Sequence, residues 1–152
     1  MLHLAAAFRH GVRVHGTLHT DWPDADPFPF STVTLADAHL SLSTDPLADA
    51  VDAIIAACHA AQPHTRLRER PLLAVACDRT VQALLLLGHA TGNHDRAVQW
   101  SARLTDDLWP TRTRTAVSHD DTGPALVRGT CCFHVLEGHR CANCPIAPST
   151  PT

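Results

Sequence analysis

Lysine is absent from this chain of 152 residues, and all twelve basic residues are arginine. With the abundance of alanine, that bias reads as genome composition and not as function. A dominant charge is lacking too: the formal net charge is −3. Nucleic-acid and membrane-surface partners announce themselves by a strong basic excess, so neither is expected. Long hydrophobic runs are missing. The longest strongly apolar run is Ala83 to Leu87, far below the ~20 residues that span a bilayer. Met1 to Phe8 is apolar, but no charged region precedes it and no cleavage pattern follows. The expectation is a soluble, cytoplasmic protein with no transmembrane segment. No GxGxxG or GxxxxGK loop occurs, so no flavin or nicotinamide site is legible. The twelve histidines are scattered singly from His3 to His139 and form no metal-binding tract.

What is present suits a folded domain. Hydrophobic residues make up 45% of the chain, enough for a core, and the length fits a single domain over 1–152. Residues 1–44 are poorly defined. Val12, Val14, Gly16 and Leu18 alternate with polar residues and suit a short strand. Trp22 to Phe30 is rich in proline and reads as a loop, and a second strand falls at Ser31 to Leu35 or at Ala38 to Leu42. Residues 45–110 read as a helical core. Thr44 or Asp45 can cap a helix with Pro46 in its first turn, carrying Leu47, Val51, Ile54, Ile55 and Cys58. Pro71 can start a second helix that stops at Gly88. A third opens at Thr91 or Asn93, places Ala97, Trp100 and Leu104 on one face, and closes at Pro110. Residues 111–146 change period. Thr113, Thr115 and Val117 alternate, Asp120 to Gly123 reads as a turn, and Ala125 and Val127 return, making a small hairpin that leads to Cys131. The tail 147–152 is expected to be disordered. The fold class is therefore α+β, a mainly helical core with a small β-hairpin leading into a C-terminal loop.

That loop holds the chemistry. Four of the six cysteines fall within fourteen residues: Cys131 with Cys132, eight residues, then Cys141-Ala142-Asn143-Cys144. Disulfides are one reading, but adjacent Cα atoms lie about 3.8 Å apart and disulfides want ~4.4–6.8 Å. A reducing compartment also opposes them. A structural zinc site made of all four cysteines is the second. Cys141 and Cys144 form an ordinary half of one, whereas a pair with no spacer is an unusual other half. The third is a [2Fe–2S] cluster, in which four thiolates serve two irons and irregular spacing is tolerated. Gly138 gives the link a place to turn back.

The segment Arg128-Gly129-Thr130-Cys131-Cys132-Phe133-His134, followed by Cys141-Ala142-Asn143-Cys144-Pro145-Ile146, resembles the C-terminal [2Fe–2S] motif of FhuF-like ferric-siderophore reductases. The stretch from Pro71 to Leu108, with Asp78, also resembles the region preceding that motif in the family. The link between the cysteine pairs and the chain itself are both shorter than is usual there. The resemblance implies Cys131, Cys132, Cys141 and Cys144 as cluster ligands. It implies one-electron reduction of Fe(III) in a siderophore, of hydroxamate type, with electrons from an external donor protein. Two other classes stay open: an iron–sulfur relay or binding protein without a substrate site, and a structural zinc protein.

Around the motif lie Arg112, Arg114, Arg128 and Arg140, opposed by Asp120, Asp121 and Glu137. They form either a positive rim that steadies a reduced cluster and attracts an acidic donor, or simply a solvated surface. Cys58 and Cys77 fall among apolar helical neighbours and read as small buried hydrophobes. His134 and His139 lie inside the loop and could replace a cysteine ligand, but with four cysteines available they read as loop histidines near the surface. Trp100 and Trp109 read as core or as packing for the loop. Asp78 stands out, a carboxylate in the middle of an apolar helix, either exposed or in a buried polar contact.

Overall fold

Leu4, Ala7 and Phe8 recur at helical spacing and build a helix that the sequence reading omits, α1 (Leu2–His10), in which all three are buried. The computed structural model describes residues 2–21, 32–65, 67–121 and 123–130. It divides into two compact units, Met1–Arg68 and Glu69–Thr152. The mixed α+β class holds, with helices and two antiparallel strand pairs.

In the first unit, Gly11 takes a positive φ of 65° and turns α1 into β1 (Val12–Asp21). This strand pairs with β2 (Thr32–Leu42), from Val12 opposite Leu42 to Asp21 opposite Thr32. The register slips after His15 and resumes at Thr17 opposite Ala36, which leaves Asp37 and Ala38 facing Gly16. Asp37 adopts a left-handed φ of 53° there. This bulge explains why the sequence offers two separate candidates for the second strand. One extra residue shifts the period-two alternation, so the apolar positions are odd before it (Val33, Leu35) and even after it (Leu40, Leu42). From Thr32 onward both candidates fall in one strand.

Helix α2 (Pro46–Ala61) starts where its signals place it. Asp45 is the N-cap, its carboxylate accepting from Ala48 N at 3.2 Å, and Pro46 lies in the first turn. Asp49 ties that turn to neighbouring chain: it accepts from Ser43 Oγ and pairs with Arg13 at 3.0 Å. Leu47, Ala50 and Val51 are buried in this unit together with Val14 of β1.

The second unit is built on α3 (Glu69–Thr91), which carries eight buried residues. By length and composition alone it is apolar enough to cross a membrane, as a core helix of a water-soluble unit also is. It begins two residues before Pro71, and it does not stop at Gly88. Gly88 is buried inside the helix, and a Cβ there would come within 2.5 Å of the Ala97 Cβ. The missing side chain lets α4 (His94–Arg103) approach. The stop is Gly92, at φ 68°, where Asn93 N donates to Gly88 O and Gly92 N to His89 O, as in a Schellman cap.

Ala97, Ser101 and Leu104 form the buried stripe that follows from α4. Leu104–Leu108 continues as a π-helical turn, closed by Trp109 N donating to Leu104 O at 2.9 Å. The predicted hairpin is present. Strands β3 (Ala116–Asp120) and β4 (Gly123–Val127) pair from Ala116 opposite Val127 to Asp120 opposite Gly123, with β3 against α4 and β4 against α3. The helical stretch 45–110 is thus shared out: α2 in the first unit, α3 and α4 in the second.

Candidate functional site

Asp78 sits on the third turn of α3, within its apolar sequence, and is 0% exposed. An ionised carboxylate offers about four acceptor positions and is costly to bury unless they are used. Here all four are used. Oδ1 accepts from Thr115 Oγ1 at 2.6 Å and from Gly129 N at 2.8 Å. Oδ2 accepts from Thr130 N at 2.9 Å and from the Thr130 hydroxyl. One carboxylate on the core helix therefore binds both the chain entering β3 and the chain leaving β4.

The second grip falls directly before the vicinal cysteines, since Thr130 precedes Cys131. Gly129 is required by closeness, not by φ. A Cβ there would lie 2.6 Å from Thr115 N and 2.9 Å from Thr115 Oγ1.

Thr115 is itself held. Its N donates to Thr113 Oγ1 at 2.8 Å, and the two hydroxyls bond to each other. Behind them lies Cys77, wholly buried. Burial pushes its thiol up to about 11, against hydrogen bonds from Thr115 and Thr113 that act the other way. A thiol so placed stays protonated at neutral pH and is a poor nucleophile or ligand. Cys58 is half-buried, and burial raises it as well. Cys77 matches the expectation of a small buried hydrophobe, whereas Cys58 meets it only in part.

The four proposed ligands, Cys131, Cys132, Cys141 and Cys144, lie outside the described residues. So do His134, Gly138, His139, Arg140, Glu137, the loop Trp22 to Phe30 and the tail 147–152. Among the described residues no group of three or more His, Cys, Asp or Glu is assembled for a metal ion. Arg112 and Arg114 are exposed and Arg128 is half-buried. Trp109 is 8% exposed, and its indole N–H has no acceptor among the described residues. Trp100 is half-buried under the Arg96 guanidinium, 4.6 Å from the ring centre.

Sequence reasoning singles out Asp78 but not its partners Thr115, Gly129 and Thr130. The oddness of a mid-helix carboxylate is the only local signal, because the partners lie 37, 51 and 52 residues away. Compared with protein-family models, with curated proteins and with solved structures, the chain matches none.

Proposed function

We propose that the protein is a [2Fe–2S] protein that passes one electron to Fe(III) in a siderophore of hydroxamate type, releasing Fe(II). The donor set fits the group: Cys131, Cys132, Cys141 and Cys144 supply four thiolates, two for each iron. The observation that supports a built site is the junction ahead of them. Gly129 and Thr130 are anchored to a buried carboxylate immediately before the first ligand. Those two amides are thereby committed to Asp78 and are not the ones that would bond cluster sulfurs. In this reading the hairpin leads into the cluster loop.

When bound, such an all-thiolate cluster supplies a one-electron donor of low potential, about −400 mV in plant-type ferredoxins. The chain's own part is to hold the four thiolates in place and to admit the chelate. The electron enters from an external donor protein and leaves to the substrate iron. Hard oxygen ligands hold Fe(III) tightly and Fe(II) poorly, so the reduced metal is released with the chelator intact. No acid, base or nucleophile is needed, and no catalytic residue is assigned.

The test is the low-temperature EPR spectrum of anaerobically purified, dithionite-reduced protein, with Cys132→Ser beside it. An S = ½ signal that the substitution abolishes or distorts is expected, followed by turnover of ferrioxamine. A cluster without turnover leaves an electron relay. A silent, colourless protein containing zinc rejects the reductase in favour of a structural four-cysteine site.

A further inference from the structure

We infer that Asp78 is the positioning residue of the cysteine motif, fixing where the Cys131–Cys132 pair begins before any metal binds. The inference rests on reading that motif as a metal site. Three of the four donors to the carboxylate belong to the two residues preceding Cys131: Gly129 N, Thr130 N and Thr130 Oγ1. Peptide planes are stiff and consecutive Cα atoms lie about 3.8 Å apart. Holding Thr130 by both its backbone and its side chain therefore leaves the chain little freedom at the residue to which the motif is joined. Gly129 limits it further, since a side chain there would strike the Thr115 backbone.

A purely structural explanation fits less well. An apolar residue would pack α3 without the cost of removing a charge from water, and buried charges often lose to such replacements. What the carboxylate adds is direction. Two oxygens with four donors specify one placement of the 129–130 segment, and the helix that carries them is the core of its unit. Ligands held in advance by outer partners bind metal more tightly, and loss of such a partner typically costs about 10–100-fold in affinity.

The experiment uses the full, reduced, metal-free chain and Zn2+ as probe, because a four-thiolate site takes zinc whatever metal it carries in use. Affinity is read by chelator competition, and hydrogen exchange is followed at the Gly129 and Thr130 amides. Asp78→Asn is expected to weaken Zn2+ binding by about 10–100-fold and to speed exchange at both amides by roughly tenfold or more. Thr130→Val removes one donor, keeps Asp78, and is expected to weaken binding by about tenfold. Should Asp78→Asn fail to fold, Thr130→Val decides alone. Gly88→Ala disturbs the packing of α3 against α4 and touches no member of the Asp78 cluster. It should lower Tm yet leave affinity at the wild-type value.

Wild-type affinity in both Asp78→Asn and Thr130→Val overturns the inference. So does a loss in Gly88→Ala equal to that in Thr130→Val, which would trace the effect to general stability. A wild-type chain that binds neither zinc nor iron overturns the reading of the motif, and this role with it. The two failures are therefore distinguishable: one appears in the wild type, the other only in the variants.

Discussion

Gly129 sits where a side chain has nowhere to go. The atom nearest to a Cβ would be Thr115 N at 2.6 Å, with Arg114 C at 3.0 Å. Both are backbone, so neither can swing aside as a side chain would. Gly129→Ala must push the segment away from Thr115, and that motion lengthens the bonds from Gly129 N and Thr130 N to Asp78. Overpacking of this kind costs about 1–3 kcal/mol, and donors left short of an acceptor add to it. Urea unfolding followed by tryptophan fluorescence should show a midpoint well below that of the wild type. An unchanged midpoint would mean that Thr115 and Gly129 are farther apart in solution than described. By contrast, Gly123 has open space around it and needs glycine for its φ of 115°. The same residue type is thus required in one unit for two unrelated reasons.

At the scale of elements, Gly88 poses the sharper question, because propensity and packing point in opposite directions. Gly to Ala inside a helix is worth about 1 kcal/mol in favour of alanine. The new Cβ would meet the Ala97 Cβ at 2.5 Å and Asn93 O at 3.2 Å. Forcing α3 and α4 apart costs about 1–3 kcal/mol, so packing wins and Gly88→Ala destabilises. The double variant Gly88→Ala with Ala97→Gly should recover part of the loss. A thermal-melt cycle over the four proteins measures the coupling, and strict additivity would sink the argument. Gly88 also marks what local reading can and cannot see. Asp45 with Pro46, the Asp120-to-Gly123 turn and the alternation along β1 are legible because their causes lie within a few residues. Gly88 is misread because glycine signals a stop through its own backbone, whereas here its cause is a contact on another helix. The end of α3 falls to Gly92 for the expected reason, four residues on. Strand β2 is legible only in halves, since its bulge breaks the period on which strand recognition depends. The site follows the same rule: Asp78 is visible as an anomaly, and its partners are set by tertiary contacts.

For the whole molecule, the units Met1–Arg68 and Glu69–Thr152 each hold an ionisable side chain at least partly withdrawn from water. The second unit buries a carboxylate with every acceptor position met. The first half-buries an imidazole whose Nε2 is covered. His3 on α1 has no partner for Nε2 among the described residues. Burial lowers its pKa below 6.5, aided by the charges of the chain's amino terminus and Arg13 and opposed by a backbone hydrogen bond with Val14. The folded chain therefore resists protonation that the unfolded chain accepts from about 6.5 downward. Between the lowered folded value and 6.5 the unfolded state binds more protons, so stability rises with pH across that window. It is fully present above 6.5 and is lost as pH falls through the folded value. His3→Leu removes the titrating group and fills the same space with apolar atoms, so its stability should depend less on pH. Urea midpoints by circular dichroism, taken between about pH 7.5 and about pH 5.5, should fall further in the wild type than in His3→Leu. Parallel profiles would mean that the His3 ring is hydrated in the folded chain, and that acid sensitivity of the first unit comes from other groups.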